Sequence, residues 1–309
     1  MNPTATGATR WKTLLAFGII YLVWGSTFLA IRIGVEEVPP FLLAAMRFVA
    51  AGLALYLWML FKGERSPSAK EWGSATLLAA LIFAGDYGLL FWAEQRVPSG
   101  LAAVMLATIP AFMALAEIVF LRTQRLTLRL GIALAIGFCG VAVLMLRSLN
   151  LGGQPIDHAG AVALIVAAIN WSIASALSRK LPLPHAKTMS SGAQMLVGGV
   201  LLAAVAAVRG EFAGFHPAAV SGRAWLALLY LVVAGSIVAF TAYVWLIHHY
   251  SPTRVGTYAY VNPVVAVLLG YFAGGEPLDE RTMVGSACVL ASVVMITTAG
   301  ARKTAKAES

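Results

Sequence analysis

An all-α membrane protein of ten transmembrane helices, arranged as two inverted five-helix repeats with both termini cytoplasmic, is what this chain's chemistry predicts. Three observations carry the prediction. Apolar runs of about 20 residues, enough for a helix to cross a bilayer core, recur along all 309 residues. The composition is 60% hydrophobic and 11% charged, with a mean hydropathy of +0.83. Soluble domains carry roughly 25% charged residues, so a water-soluble enzyme of this size would lack its polar surface. Finally, tryptophan, proline and glycine landmarks recur at two successive offsets about half the chain long.

The spans follow in order. Helix one, residues 13–33, has Arg10 and Lys12 ahead of it. It is too long for a signal-peptide core and lacks a clear cleavage site, so it reads as a retained helix. Helices two to five fall at 40–61, 72–92, 99–121 and 127–146, and helices six to ten at 159–178, 188–208, 223–247, 252–274 and 282–299. The connections are too short for an independent soluble domain. Cys139 and Cys288 both lie in apolar stretches, without disulfide or zinc-ligand spacing.

Direction follows from loop charge. With the N-terminus in the cytoplasm, 15 Lys and Arg residues fall on inner segments and 6 on outer edges, all seven lysines being inside. The outer loops carry Glu36, Glu37, Glu94, Asp157, Glu211, Glu276, Asp279 and Glu280. The net charge of +9 is therefore a topology signal and not a nucleic-acid footprint.

The repeat is checked by subtraction. Trp24, Arg32 and the stretch Arg47–Gly52 correspond, 147 residues later, to Trp171, Arg179 and Gln194–Gly199. Beyond the longer loop at 209–222 the offset becomes 153, pairing Trp72 with Trp225, Trp92 with Trp245 and Pro110 with Pro263. Residues 1–150 and 151–309 thus form two copies of five helices each. An odd number of spans sends the copies into the membrane from opposite sides, an architecture many secondary transporters use for alternating access around a midplane site.

The stretch from Trp92 to Leu121 and its twin from Trp245 to Leu278 resemble the fourth-helix signature of the drug/metabolite transporter superfamily, EamA type. The twin ends in that family's Gly-Glu-x-Leu at Gly275-Glu276-Pro277-Leu278. Arg47-Phe48-Val49-Ala50-Ala51 fits the family's second helix, whereas the first copy departs from Gly-Glu-x-Leu with Thr123-Gln124-Arg125-Leu126. The resemblance covers both repeats. It implies a metabolite exporter, most similar to the bacterial amino-acid exporter branch that includes aromatic amino-acid carriers.

Transport requires a cavity, polar groups that replace substrate hydration, and a way to open each side. Pro110 and Pro263 lie mid-helix in helices four and nine, where proline frees the carbonyl four residues back. Those carbonyls, of Leu106 and Ala259, must face a wet cavity or another helix, so the prolines are candidate hinges, with packing kinks the alternative. At similar depth lie Trp24, Ser26 and Thr27 on helix one, and Asn170, Trp171 and Ser172 on helix six. Helix eight adds Ser236, Ala239 and Tyr243, and helix nine Tyr258 and Asn262. Trp24, Thr27, Asn170, Trp171, Tyr243, Tyr258 and Asn262 are expected to line the substrate cavity, neutral polar groups holding a zwitterion and aromatics its side chain. Interhelical hydrogen bonding is the competing role for the Ser, Thr and Asn residues. Trp72, Trp92, Trp225 and Trp245, near span ends, read as interfacial anchors.

Three ionisable groups lie within spans. Arg47 and Asp86 sit about 10 and 9 Å below the outer ends of their helices at 1.5 Å per residue. Equal depth allows an ion pair, structural or proton-coupling. Glu117 lies near the inner end of helix four. His248-His249 lack further ligands for a metal site, and no metal or other cofactor is expected. There is no Gly-x4-Gly-Lys-[Ser/Thr] phosphate loop, HExxH or Gly-x-Ser-x-Gly, so an ATP-driven pump or hydrolase has no machinery here.

The sequence thus points to a non-enzymatic secondary transporter in a bacterial inner membrane, exporting small metabolites, amino acids foremost. The alternative is a multidrug or organic-cation efflux carrier, proton-coupled through Asp86. Small-molecule substrate and membrane lipid are the expected partners. Small-residue faces such as Gly198-Gly199 suit packing within or between chains, which leaves monomer and homodimer both open.

Overall fold

Helix boundaries follow local chemistry. The structure, a computed structural model, describes residues 10–116, 118, 127–145, 157–178, 180–249, 255, 258–276, 278 and 280–307. Glu117, the Thr123–Leu126 turn, Arg179, Pro277, Asp279, the expected end of helix four and the expected start of helix nine lie outside them, as does the side chain of His248. Helix α1 spans Arg10–Val35. α2, Pro40–Phe61, starts on a proline, whose missing N–H costs nothing in a first turn. α3, Ala69–Ala93, opens on a capping box in which Ser68 and Glu71 each accept the other's backbone N–H.

α4 runs Ser99–Leu106 and resumes at Ile109–Ala116. Then come α5 (Leu128–Met145), α6 (His158–Ser178) and α7 (Lys187–Val208). α8 opens at Gly222–Tyr230 behind a Ser221 cap and closes at Ala239–His249. α9 is Tyr258–Gly274 and α10 is Glu280–Ala307. α2 and α7 both end on a glycine with positive φ, Gly63 at 84° and Gly210 at 71°. These sit 147 residues apart, a further landmark pair on the first offset.

Among the described residues, six helices are long and apolar enough to cross a membrane: 11–35, 40–61, 69–93, 158–178, 187–208 and 222–243. Shorter apolar helices cover 99–115, 128–143, 261–274 and 282–295. Large apolar side chains such as Leu22, Trp58, Phe61, Val200, Leu226 and Phe272 are exposed on the outside of the bundle. Such a surface suits lipid and not water.

Two interruptions depart from simple helices. α3 widens into a π-helical segment at Ala80–Tyr87, and α8 does so at Leu231–Val238. Such segments frequently mark functional positions because they turn carbonyls away from the helical ladder.

Packing is closest where side chains are smallest. α2 lies on α7, α5 on α10 and α4 on α9. α1 contacts α8 and α9, while α6 contacts α3 and α4. A Cβ on Gly52 would stand 2.4 Å from the Leu196 nitrogen, and one on Gly199 would stand 2.5 Å from the Val49 nitrogen. Pairing 52 with 196 and 49 with 199 makes α2 and α7 antiparallel, and the two contacts become each other under the 147-residue offset. In lipid there is little hydrophobic drive between helices, so this backbone approach through small residues is what binds them. Beside the seam, Phe48 is buried with ring centroids 4.8 Å from both Phe83 and Tyr87.

Candidate functional site: an aromatic and polar belt at mid-bundle

Both π-helical segments receive a hydrogen bond from an expected site residue. Trp24 Nε1 of α1 donates to the Gly235 carbonyl of α8 at 3.1 Å. Asn170 Nδ2 of α6 donates to the Gly85 carbonyl of α3 at 3.2 Å. Trp24 also meets Tyr243 and Tyr258, at centroid distances of 5.3 and 5.1 Å, and those two tyrosines meet edge to face at 6.1 Å. Trp171 joins Tyr87 edge to face at 6.2 Å.

The remaining polar candidates divide between walls and staples. Thr27 is buried and donates to the Trp24 carbonyl at 2.6 Å, and its methyl packs on Gly235. Ser26 shares a 2.5 Å hydrogen bond with the Tyr230 hydroxyl. Asn262 is buried, with the carbonyls of Tyr21, Ile20 and Tyr258 at 3.1–3.2 Å from its amide; the amide orientation that satisfies them turns its NH2 group, with two hydrogens to donate, towards α1. Ser172 donates to the Ala168 carbonyl and to that of Ile109, next to Pro110.

The prolines behave differently. α4 breaks at Ala107–Thr108 immediately before Pro110, and the Thr108 hydroxyl turns back to the Met105 carbonyl. Pro263 sits inside a continuous α9, against a face where Val265 and the Asn262 carbonyl crowd Gly25 of α1.

Arg47 and Asp86 are both buried, at 3% and 2% exposure, but they form no ion pair. Arg47 Nε donates to Ser236 Oγ at 2.9 Å. Its guanidinium carbon lies 4.8, 5.4 and 5.9 Å from the rings of Phe48, Tyr87 and Phe91. Nη1 of Arg47 and Oδ1 of Asp86 are buried without a hydrogen-bond partner. Arg47 is instead directed towards α8, which carries Ser236.

Carboxylates tie helix ends together at one end of the bundle. Glu276 accepts the N–H groups of Ser99 and Gly100 at 2.7 and 3.0 Å, capping α4 from the α9 turn. Glu211 accepts the Leu42 N–H at the start of α2. Glu37 accepts the Ser221 N–H and hydroxyl at 2.6 and 2.5 Å, and these bonds, then Arg223, hold its carboxyl below the usual glutamate range. Arg32 donates to the Glu94 carbonyl and pairs with Glu36. Glu94, expected among solvated loop acids, is fully buried with neither carboxylate oxygen hydrogen-bonded. Local polarity at a span end gives no sign of this, because the cover comes from other helices.

The EamA-like transporter family matches residues 11–146 and 158–298. The chain belongs to that family. A similar relative is an uncharacterised inner membrane transporter, YedA of Escherichia coli K12, 37% identical over 294 residues that cover 93% of this chain and 92% of that protein. An uncharacterised transporter of Archaeoglobus fulgidus is 27% identical, covering 93% of this chain and 97% of its own. A probable amino-acid metabolite efflux pump of Salmonella typhimurium is 25% identical, over 89% and 91%. A solved crystal structure shares the fold at a TM-score of 0.62 and 24% identity, covering 95% of this chain and 99% of that one. This EamA-family chain is thus a membrane transporter, and among its described residues no cluster of three His, Cys, Asp or Glu suits a metal ion.

What the sequence reading missed are the two π-helical segments and the aromatic neighbours of Arg47. The glycines at 85 and 235 lie inside those segments, but a helical hydropathy pattern does not distinguish a π-turn from an α-turn.

Proposed function

We propose that this transporter is a secondary carrier exporting small metabolites, amino acids foremost, across a bacterial inner membrane. Ten helices in two inverted five-helix repeats, residues 1–150 and 151–309, alternate access to a mid-bundle cavity. The reciprocal antiparallel contact of Gly52 with Leu196 and Gly199 with Val49 carries the architectural part. Equivalent helices of copies that enter from opposite sides run antiparallel, as α2 and α7 do, and inverted repeats are the working architecture of many carriers.

The belt supports the substrate class. Trp24, Tyr243 and Tyr258 from one cross-repeat group and Trp171 with Tyr87 from the other offer flat apolar walls. Thr27 and Asn170 supply neutral polar groups, and Asn262 anchors α9 at the same level. Pro110, beside the break in α4, and Pro263 are the hinge positions. The similarity to a probable amino-acid metabolite efflux pump agrees with this class.

Organic-cation efflux coupled through Asp86 is favoured by one observation, the unpartnered buried Oδ1 of that residue. Flux in liposomes loaded with amino acids and organic cations, with and without an imposed pH gradient, decides between them. Amino-acid efflux that Trp171→Ala abolishes while the protein still inserts and folds is the expected result. Flux of cations alone, driven by the gradient, would instead establish the second reading.

A further inference from the structure

Arg47 is a buried cation, 3% exposed, with no counter-charge at ion-pair distance among the described residues. The buried carboxylate of Glu94 forms no ion pair with it. An isolated charge at this depth is expensive and marks functional pathways in membrane proteins. The three rings around the guanidinium reduce that cost, but they accept no hydrogen bond from its N–H edge.

The geometry places Nη2 of the guanidinium at the belt. A Cβ on Gly235 would lie 2.9 Å from the Thr27 methyl and 3.3 Å from Arg47 Nη2, so this glycine seats the guanidinium beside α1. The Gly235 carbonyl is the acceptor for Trp24, and Ser236, the next residue, holds Nε. The π-helical segment of α8 thus fixes Arg47 and Trp24 together, and leaves Nη1 unpartnered.

We propose that Arg47 is the anchor for a carboxylate on the transported molecule, taken by the free Nη1 edge of the guanidinium while the aromatic belt holds the ligand's apolar part. A guanidinium presents parallel N–H donors that match a carboxylate, and the ligand's charge completes a site that is otherwise electrostatically open. The anchor rests on the reading of the belt as the substrate site, and it narrows the substrates to carboxylate-bearing molecules with a flat apolar body.

The test uses the purified full-length protein in detergent and three probes of one shape: phenylalanine, 3-phenylpropionate and phenethylamine. Binding is read by tryptophan fluorescence and by the ligand-induced rise in Tm. Both carboxylate probes should bind better than the amine, and Arg47→Gln should weaken them about 10- to 100-fold, the worth of a charge-assisted hydrogen bond, with amine binding unchanged. Arg47→Lys should retain the acid preference at lower affinity. Should Arg47→Gln fail to fold, Ser236→Ala serves, because losing the Nε acceptor should weaken the acids alone. Equal binding of acid and amine, unchanged acid binding in the variants, or no binding of any probe would overturn the anchor. Amino-acid flux that persists in Arg47→Gln with unchanged KM removes the anchor and leaves the transport reading intact. Acid binding lost in Arg47→Gln, with no amino-acid flux in the unaltered protein, does the reverse.

Discussion

Glu37 carries a pH-dependent tie that one substitution isolates. Its carboxylate accepts two hydrogen bonds from Ser221, which favour the charged form and lower its pKa. A group depressed in the folded state stabilises fully above its unfolded pKa and loses that contribution as pH falls through the folded one. Glu37→Gln should therefore lower Tm at neutral and alkaline pH and flatten its fall as pH drops from the ordinary glutamate range through the depressed pKa of Glu37. Tm followed across that range in detergent checks this, and an acid limb as steep as before would show that the tie is not formed in solution. Glu94 stands at the opposite extreme, enclosed without a donor. Its position two residues after Trp92 marks it as a loop acid in sequence, and only the surrounding helices reverse that.

At the scale of elements, the α2–α7 seam is the most exacting contact. Gly199 meets the Val49 nitrogen, the stiff Val49 Cγ2 and the Phe48 carbonyl carbon, so a larger residue forces the helices apart. Gly199→Val should cost roughly 1–3 kcal/mol, the usual range for overpacking, and Gly52→Val a similar amount. A Tm series measures both, and one variant as stable as the unaltered protein would contradict the reciprocity of the seam. The glycines were visible in sequence as a small-residue face, because the 147-residue offset aligned them. Their partners were not, since periodicity gives the depth of a residue and not the rotation of its helix. The same limit applies to Arg47 and Asp86, both buried but not paired. It also explains Asn262, whose amide fastens α9 to α1, the interhelical role weighed against substrate contact.

For the whole molecule, the six helices long enough to cross a membrane were legible from apolar runs, because lipid imposes a length and a composition on each crossing. Orientation rests on loop charge. In a background with Cys139 and Cys288 replaced by alanine, cysteine at Ala219 should label from outside intact cells. Cysteine at Ser66 should label only after permeabilisation, and the opposite pattern would invert the proposed topology.

The cap that Glu276 places on α4 has a consequence for resting occupancy. Two N–H groups of one helix start are held by a carboxylate from a distant turn, and separating α4 from α9 there would give both bonds to water. A hydrogen bond to a charged group contributes about 1.5–3 kcal/mol net, and each 1.4 kcal/mol is about a tenfold population ratio. In the alternating-access cycle proposed above, one carboxylate can therefore hold the two arrangements of this end apart by about one to two decades. That gap is small enough for a ligand with modest differential affinity to reverse, and large enough for the end to stay shut in its absence.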